Sequence, residues 1–86
     1  MKTEFKDYKA AVDFAYNLTR DKYIIVNLFY DYDNQSFIIS EEANAFPYRL
    51  IVFSDDIVSS KNNYLKAVEY GIKYVDAMEE LEMEEK

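Results

Sequence analysis

The residues with the most chemical potential lie in one string, Asp31-Tyr-Asp-Asn-Gln-Ser-Phe-Ile-Ile-Ser-Glu-Glu42. Counted from Asp31, acids or amides occupy positions one, three and five (Asp31, Asp33, Gln35). An aliphatic residue (Ile38) stands at eight and a glutamate (Glu42) at twelve, the donor spacing of a calcium-binding helix–loop–helix loop. Ser36 stands where that loop needs glycine for its sharp turn, and β-favouring residues flank it where helices are required. An acidic hairpin turn is therefore the expectation, with no metal and no cofactor. Adjacent acids recur at Glu41-Glu42 and Asp55-Asp56. Neighbouring residues of a strand point to opposite faces, so neither pair is a ready-made acid–base dyad.

The chain has no histidine and no cysteine. Disulfides, thiolate nucleophiles and the commonest zinc ligands are absent together, and a single glycine and a single proline leave no glycine-rich phosphate loop. An 86-residue chain also has little room for a substrate pocket, so the protein is not expected to be an enzyme. The net charge is −7, and residues 76–86 contribute six acids against Lys86 alone. Affinity for phosphates rests on lysine and arginine, so direct nucleic-acid binding and anionic membranes are disfavoured. No segment has the apolar length of a signal peptide or a membrane span, and a cytoplasmic protein is expected.

Nine tyrosines are the most distinctive feature of the composition. Tyrosine combines a large apolar area with a polar tip, which suits protein interfaces. Most of the nine are expected at the rim of a small core. Tyr23, Tyr32 and Tyr48, beside Asp31, Asp33, Glu41 and Glu42 and with Phe29 on an outward strand face, form the expected partner-binding set.

These side chains need a scaffold, and hydrophobic periodicity supplies one. Phe5, Tyr8, Val12, Ala15 and Thr19 recur at helical spacing, which predicts a helix over 4–19 with Thr3 as its N-cap. Alternation from Tyr23 to Tyr30 predicts a strand, with Ile24, Val26 and Leu28 facing the core. Asp31–Asn34 is the turn, 36–41 the second strand, 42–46 a loop, and 48–53 a third strand with Arg49, Ile51 and Phe53 on the outward face. Leu65, Val68, Ile72 and Val75 predict a last helix over 60–81, capped by Ser59 or Ser60, in which Gly71 marks a close approach to the sheet.

The fold expected is α+β with the order α-β-β-β-α: a three-stranded antiparallel sheet with two helices on one face, one domain over 1–78 and a frayed acidic tail over 79–86. That order resembles double-stranded RNA-binding domains, and Ser59, Ser60, Lys61 and Lys66 stand where that family grips phosphates. Asn62, Asn63 and Leu65 interrupt the basic run, so the resemblance implies a fold and no RNA-binding role.

Two functions follow as expectations. In the first, the acidic aromatic surface occupies a basic, nucleic-acid-binding groove of another protein as an inhibitor. Small acidic α+β proteins without cysteine resemble, as a class, phage-encoded inhibitors of host defence such as anti-CRISPR proteins, which would act in the host cytoplasm. In the second, an apolar open sheet face makes the chain an assembly module, as a homodimer or subunit.

Overall fold

The computed structural model describes residues 2–84, with the side chains of 78, 79 and 81–84 excepted. The chain runs β1 (Lys2–Phe5), α1 (Tyr8–Lys22), β2 (Val26–Asp31), β3 (Ser36–Ser40), β4 (Arg49–Phe53), α2 (Asp55–Ser59) and α3 (Lys61–Glu84). The fold is α+β, and its antiparallel sheet has four strands in the order β1-β3-β2-β4. Residues 85 and 86 of the expected acidic tail lie outside the described residues.

The fourth strand corrects the expected start of the first helix. Residues 2–5 extend along β3, with Thr3 opposite Ile39 and Phe5 opposite Phe37. The helix begins later, because the Asp7 carboxylate accepts the Ala10 N–H at 2.9 Å and so caps α1 in place of Thr3. Phe5 and Tyr8 satisfy helical spacing and also close a strand and open a helix, and the unpaired edge of β3 decides between the two. The helix also ends later than expected. Tyr23 caps it in the left-handed region, at φ 57° and ψ 40°, with its N–H on the Thr19 carbonyl at 2.9 Å. β2 therefore begins at Val26, and Tyr23 is not a strand residue.

Register then assigns the two faces of the sheet. Val26, Leu28, Tyr30, Phe37, Ile39, Ile51 and Phe53 form the main core with Ala11, Val12 and Ala15 of α1. A bulge between β2 and β4 places Ile51 opposite Leu28 and Arg49 opposite Phe29, with Leu50 as the extra residue. It turns Ile51 and Phe53 inward, against the expectation that they face outward. The opposite face carries Asn27, Phe29, Ile38 and Ser40, all buried. It is closed by the segment between β3 and β4, whose Phe46 ring lies 5.9 Å from that of Phe29. Lys2 Nζ sits over the Phe46 ring, 4.9 Å from its centre. Phe29, Ile51 and Phe53, expected on an open apolar face, are buried, whereas Ile25 remains exposed.

α3 runs antiparallel to α1. Tyr8 Oη donates to the Val68 carbonyl at 3.2 Å near one end of the pair, and the Tyr16 and Tyr64 rings meet at 4.8 Å near the other. Among the described residues, the inward ones of α3 are Tyr64, Ala67, Val68, Gly71, Tyr74 and Val75. Leu65 is 51 % and Ile72 46 % exposed, so the buried stripe is rotated from the one expected. Gly71 does mark a close approach, to Tyr8 of α1 and not to the sheet: a Cβ there would collide with Tyr8 Oη and come within 2.8 Å of Cζ.

Gly71→Ala is accordingly expected to destabilise the protein by about 1–2 kcal/mol in chemical denaturation, although alanine favours a helix by about 1 kcal/mol. In a Tyr8→Phe background, which removes the colliding oxygen, the penalty should shrink.

Candidate protein-binding surface

The hairpin joining β2 to β3 sets the geometry of the expected site. Asp31 Oδ2 accepts from Asn34 Nδ2 at 2.8 Å, and Oδ1 lies 3.4 Å from the Asn34 N–H. Its carboxylate thus builds the turn, as aspartate does at the first position of a tight reversal. Lys6 Nζ donates to the Asn34 carbonyl at 2.7 Å and ties the turn to the connection before α1. Gln35 completes the reversal at φ 50°. Asp33 is exposed at the tip, and Tyr32 is half-buried.

Tyr48 joins this end of the molecule from the other side of the sheet. Its carbonyl accepts the Tyr30 N–H at 2.8 Å, and its ring lies 6.5 Å from that of Tyr32. Asp31, Tyr32, Asp33 and Tyr48 are therefore brought together. Glu41 and Glu42 are not, because they follow the opposite end of β3, where Ser40 pairs with Asn27. The strand between them spans roughly 13–17 Å at about 3.3 Å per residue. Tyr23, 88 % exposed, also lies at that far end, just before Val26. Phe29 is 0 % exposed beneath Phe46 and is removed from the surface altogether. The same separation keeps Asp31, Asp33, Gln35 and Glu42 from enclosing one ion. Among the described residues no group of three or more acids is placed to hold a metal.

α3 supplies what sequence periodicity did not assign to this site. Its direction carries Tyr74 to the hairpin end, where burial first, and then the neighbouring Tyr48 and Tyr70, raise the Tyr74 hydroxyl pKa above its ordinary value. The Tyr70 and Tyr74 rings lie 6.5 Å apart, one turn from each other. Two ring pairs, Tyr32–Tyr48 and Tyr70–Tyr74, thus lie toward this end, with Tyr74 near enough to Tyr48 to feel it electrostatically. Beyond Tyr74 the helical backbone continues for about 15 Å at 1.5 Å per residue, carrying exposed Asp76 and Glu80. The available sequence signal was the length of the helix: 24 residues overshoot a five-residue strand.

Tyr8 is packed on Phe37 at 5.3 Å, and burial, with a smaller contribution from Tyr64, pushes its hydroxyl pKa from 10.0 up to about 12. Among the described residues no helix is long and apolar enough to cross a membrane. Comparison with protein-family models, with curated proteins and with solved structures finds no match to this chain.

Two measurements check these assignments. Asp31→Ala should cost about 1 kcal/mol of stability through the lost turn contacts, whereas Asp33→Ala should stay within about 0.5 kcal/mol of the parent. For Tyr8, the folded state holds a proton that the unfolded state releases near pH 10.0. Its contribution is intact below that pH and is lost as pH rises toward about 12. Thermal melts should show stability falling across this window, with a shallower decline in Tyr8→Phe.

Proposed function

We propose that this chain is a non-enzymatic protein-binding protein whose hairpin end enters a basic groove of a partner that normally holds nucleic acid. The observation that supports this reading is the ring pair Tyr32–Tyr48 beside exposed Asp33 on the hairpin, with Tyr74 of α3 near Tyr48 and exposed Asp76 and Glu80 following it on the same helix. Carboxylates carried on a folded frame attract the lysines and arginines that otherwise neutralise phosphates. Tyrosine faces offer guanidinium groups a second, cation–π contact and stacking surface where bases would lie. The protein would act as a competitive inhibitor, needing neither cofactor nor metal. Inhibition of a nucleic-acid-directed defence enzyme, of the kind phage proteins achieve, is the setting that suits a small acidic module of this type.

This binding site differs from the one expected from sequence in its membership. Asp33, Tyr32 and Tyr48 remain in it, Asp31 acts through the turn, and Glu41, Glu42, Tyr23 and Phe29 leave it. The test is displacement of a labelled oligonucleotide from a panel of basic nucleic-acid-binding proteins. The wild-type chain should release the oligonucleotide from its target, and the triple reversal Asp33→Lys/Asp76→Lys/Glu80→Lys should lose at least about tenfold in potency. Glu41→Lys/Glu42→Lys, at the opposite end, should compete nearly as well as the parent. Equal loss in both variants would leave only net charge at work and reject the hairpin-end site.

A further inference from the structure

A cavity of about 640 Å³ lies at the end of the sheet away from the hairpin, between the close of α1 and the short helix α2. That size falls within the roughly 300–1,000 Å³ usual for small-ligand sites. Thr19, Tyr23, Ile25, Asp55, Asp56 and Val58 are among its lining residues. Tyr23 and Ile25 stand at its mouth, 88 % and 61 % exposed, which is more apolar surface than a solvated rim requires. Thr19 is the buried residue of the lining. Among the described residues its Oγ1 is the one buried side-chain polar atom without a hydrogen-bond partner. A buried hydroxyl left unpaired is unfavourable, and a donor on a ligand would satisfy it.

Charge then selects the ligand. Among the described residues neither Asp55 nor Asp56 has an ion-pair partner. Arg20 lines the cavity as well, but its guanidinium is held by Asp21 at 3.2 Å and lies over the Tyr16 ring at 5.7 Å. The C-terminal end of α1 adds a dipole that favours cations. Two carboxylates fall short of the six to eight oxygens that calcium takes, which points to an organic cation.

We infer that this cavity binds a primary alkylammonium group, whether carried by a lysine side chain of another protein or by a free aliphatic amine. The inference is independent of the hairpin-end reading, because it concerns the opposite end of the sheet. The ammonium enters first, and Thr19 Oγ1 accepts one of its N–H groups. Asp55 and Asp56 balance its charge in a partly enclosed site, where ion pairs are screened less than on an open surface. The aliphatic stem then crosses Ile25 and the Tyr23 ring, covering apolar surface that is otherwise in water. An anionic ligand would be repelled by both carboxylates, and a neutral one would leave them without a counter-charge.

Amide chemical-shift titration of the full chain tests this, with n-butylammonium, n-butanol and N-acetyl-lysine methylamide as probes. Butylammonium should shift the amides of Thr19, Arg20, Ile25 and Asp56 saturably. Butanol, of the same size without the charge, should bind at least about tenfold more weakly. Asp55→Asn/Asp56→Asn should lose at least about tenfold in butylammonium affinity, whereas Glu41→Gln/Glu42→Gln, which removes as much charge outside the cavity lining, should bind like the parent. Thr19→Val, which removes the hydroxyl and keeps the branched shape, should bind about fivefold more weakly with no loss of melting temperature. Tighter binding of the acetyl-lysine probe than of butylammonium assigns the site to a protein's lysine, and the reverse order assigns it to a free amine. The inference is overturned by the lack of a saturable shift, by equal affinity for butanol, by parent-like binding in Thr19→Val, or by equal losses in the two acid-to-amide pairs. Butylammonium and butanol are compared on the parent chain, so a variant that fails to fold does not rescue the proposal.

Discussion

The contact between Tyr8 and Gly71 is the constraint on which the arrangement of the helices depends. Tyr8 opens α1, reaches over to the Val68 carbonyl and packs its ring on Phe37 of the sheet. Only a residue without a Cβ leaves room for its hydroxyl at position 71. Once that approach is made, the rotation of α3 follows: Tyr64, Val68 and Val75 turn inward, and Leu65 and Ile72 are displaced toward solvent. The direction of α3 follows too, and it brings Tyr74 near Tyr48. A helix contact near the middle of α3 thus sets which side chains of the helix approach the sheet.

A second constraint is size. A chain of this length buries only about 60–65 % of its unfolded surface, and one helix-covered face makes a thin core. The protein uses the other face as well, laying Phe46 near Phe29 and bonding Asn27 to the carbonyls of Ser40 and Glu41. The segment between β3 and β4 crosses the sheet from its far end to the hairpin end, and it delivers Tyr48 next to Tyr32 on arrival. Closing the second face and pairing Tyr48 with Tyr32 are consequences of one crossing.

The surface divides by direction. The hairpin end gathers Asp33 and the Tyr32–Tyr48 ring pair around a turn braced by Asp31 and Lys6. The β4 border presents Val52 and Tyr70 at a shallow groove that no acidic side chain lines. The opposite end keeps Tyr23 in a left-handed cap with Glu41 and Glu42 nearby along the chain order of the sheet, apart from both.

Local pattern was legible in the sequence. The helix and strand periods, the Asp31–Asn34 turn, the capping serine Ser60 and the α+β class all express neighbours within a few residues of one another, where propensity and amphipathicity act. Residues 2–5 were not legible, because Thr3 and Phe5 suit a strand or a helix and only the open edge of β3 selects the strand. The inward turn of Ile51 and Phe53 was not legible either, since a single bulged residue reverses the phase of everything after it. Of the candidate site, Tyr32, Asp33 and Tyr48 were readable as interface chemistry, but their company was not. Glu41 and Glu42 are close to Asp33 in sequence and are kept apart by an extended strand, while Tyr74 is distant in sequence and is brought near Tyr48 by an antiparallel helix. The sequence by itself determined three of the four strands and two of the three helices among the described residues, with the chemistry they carry. Tertiary structure alone decided edges, register, helix rotation and which charges share an end, because those depend on pairing between segments far apart in the chain.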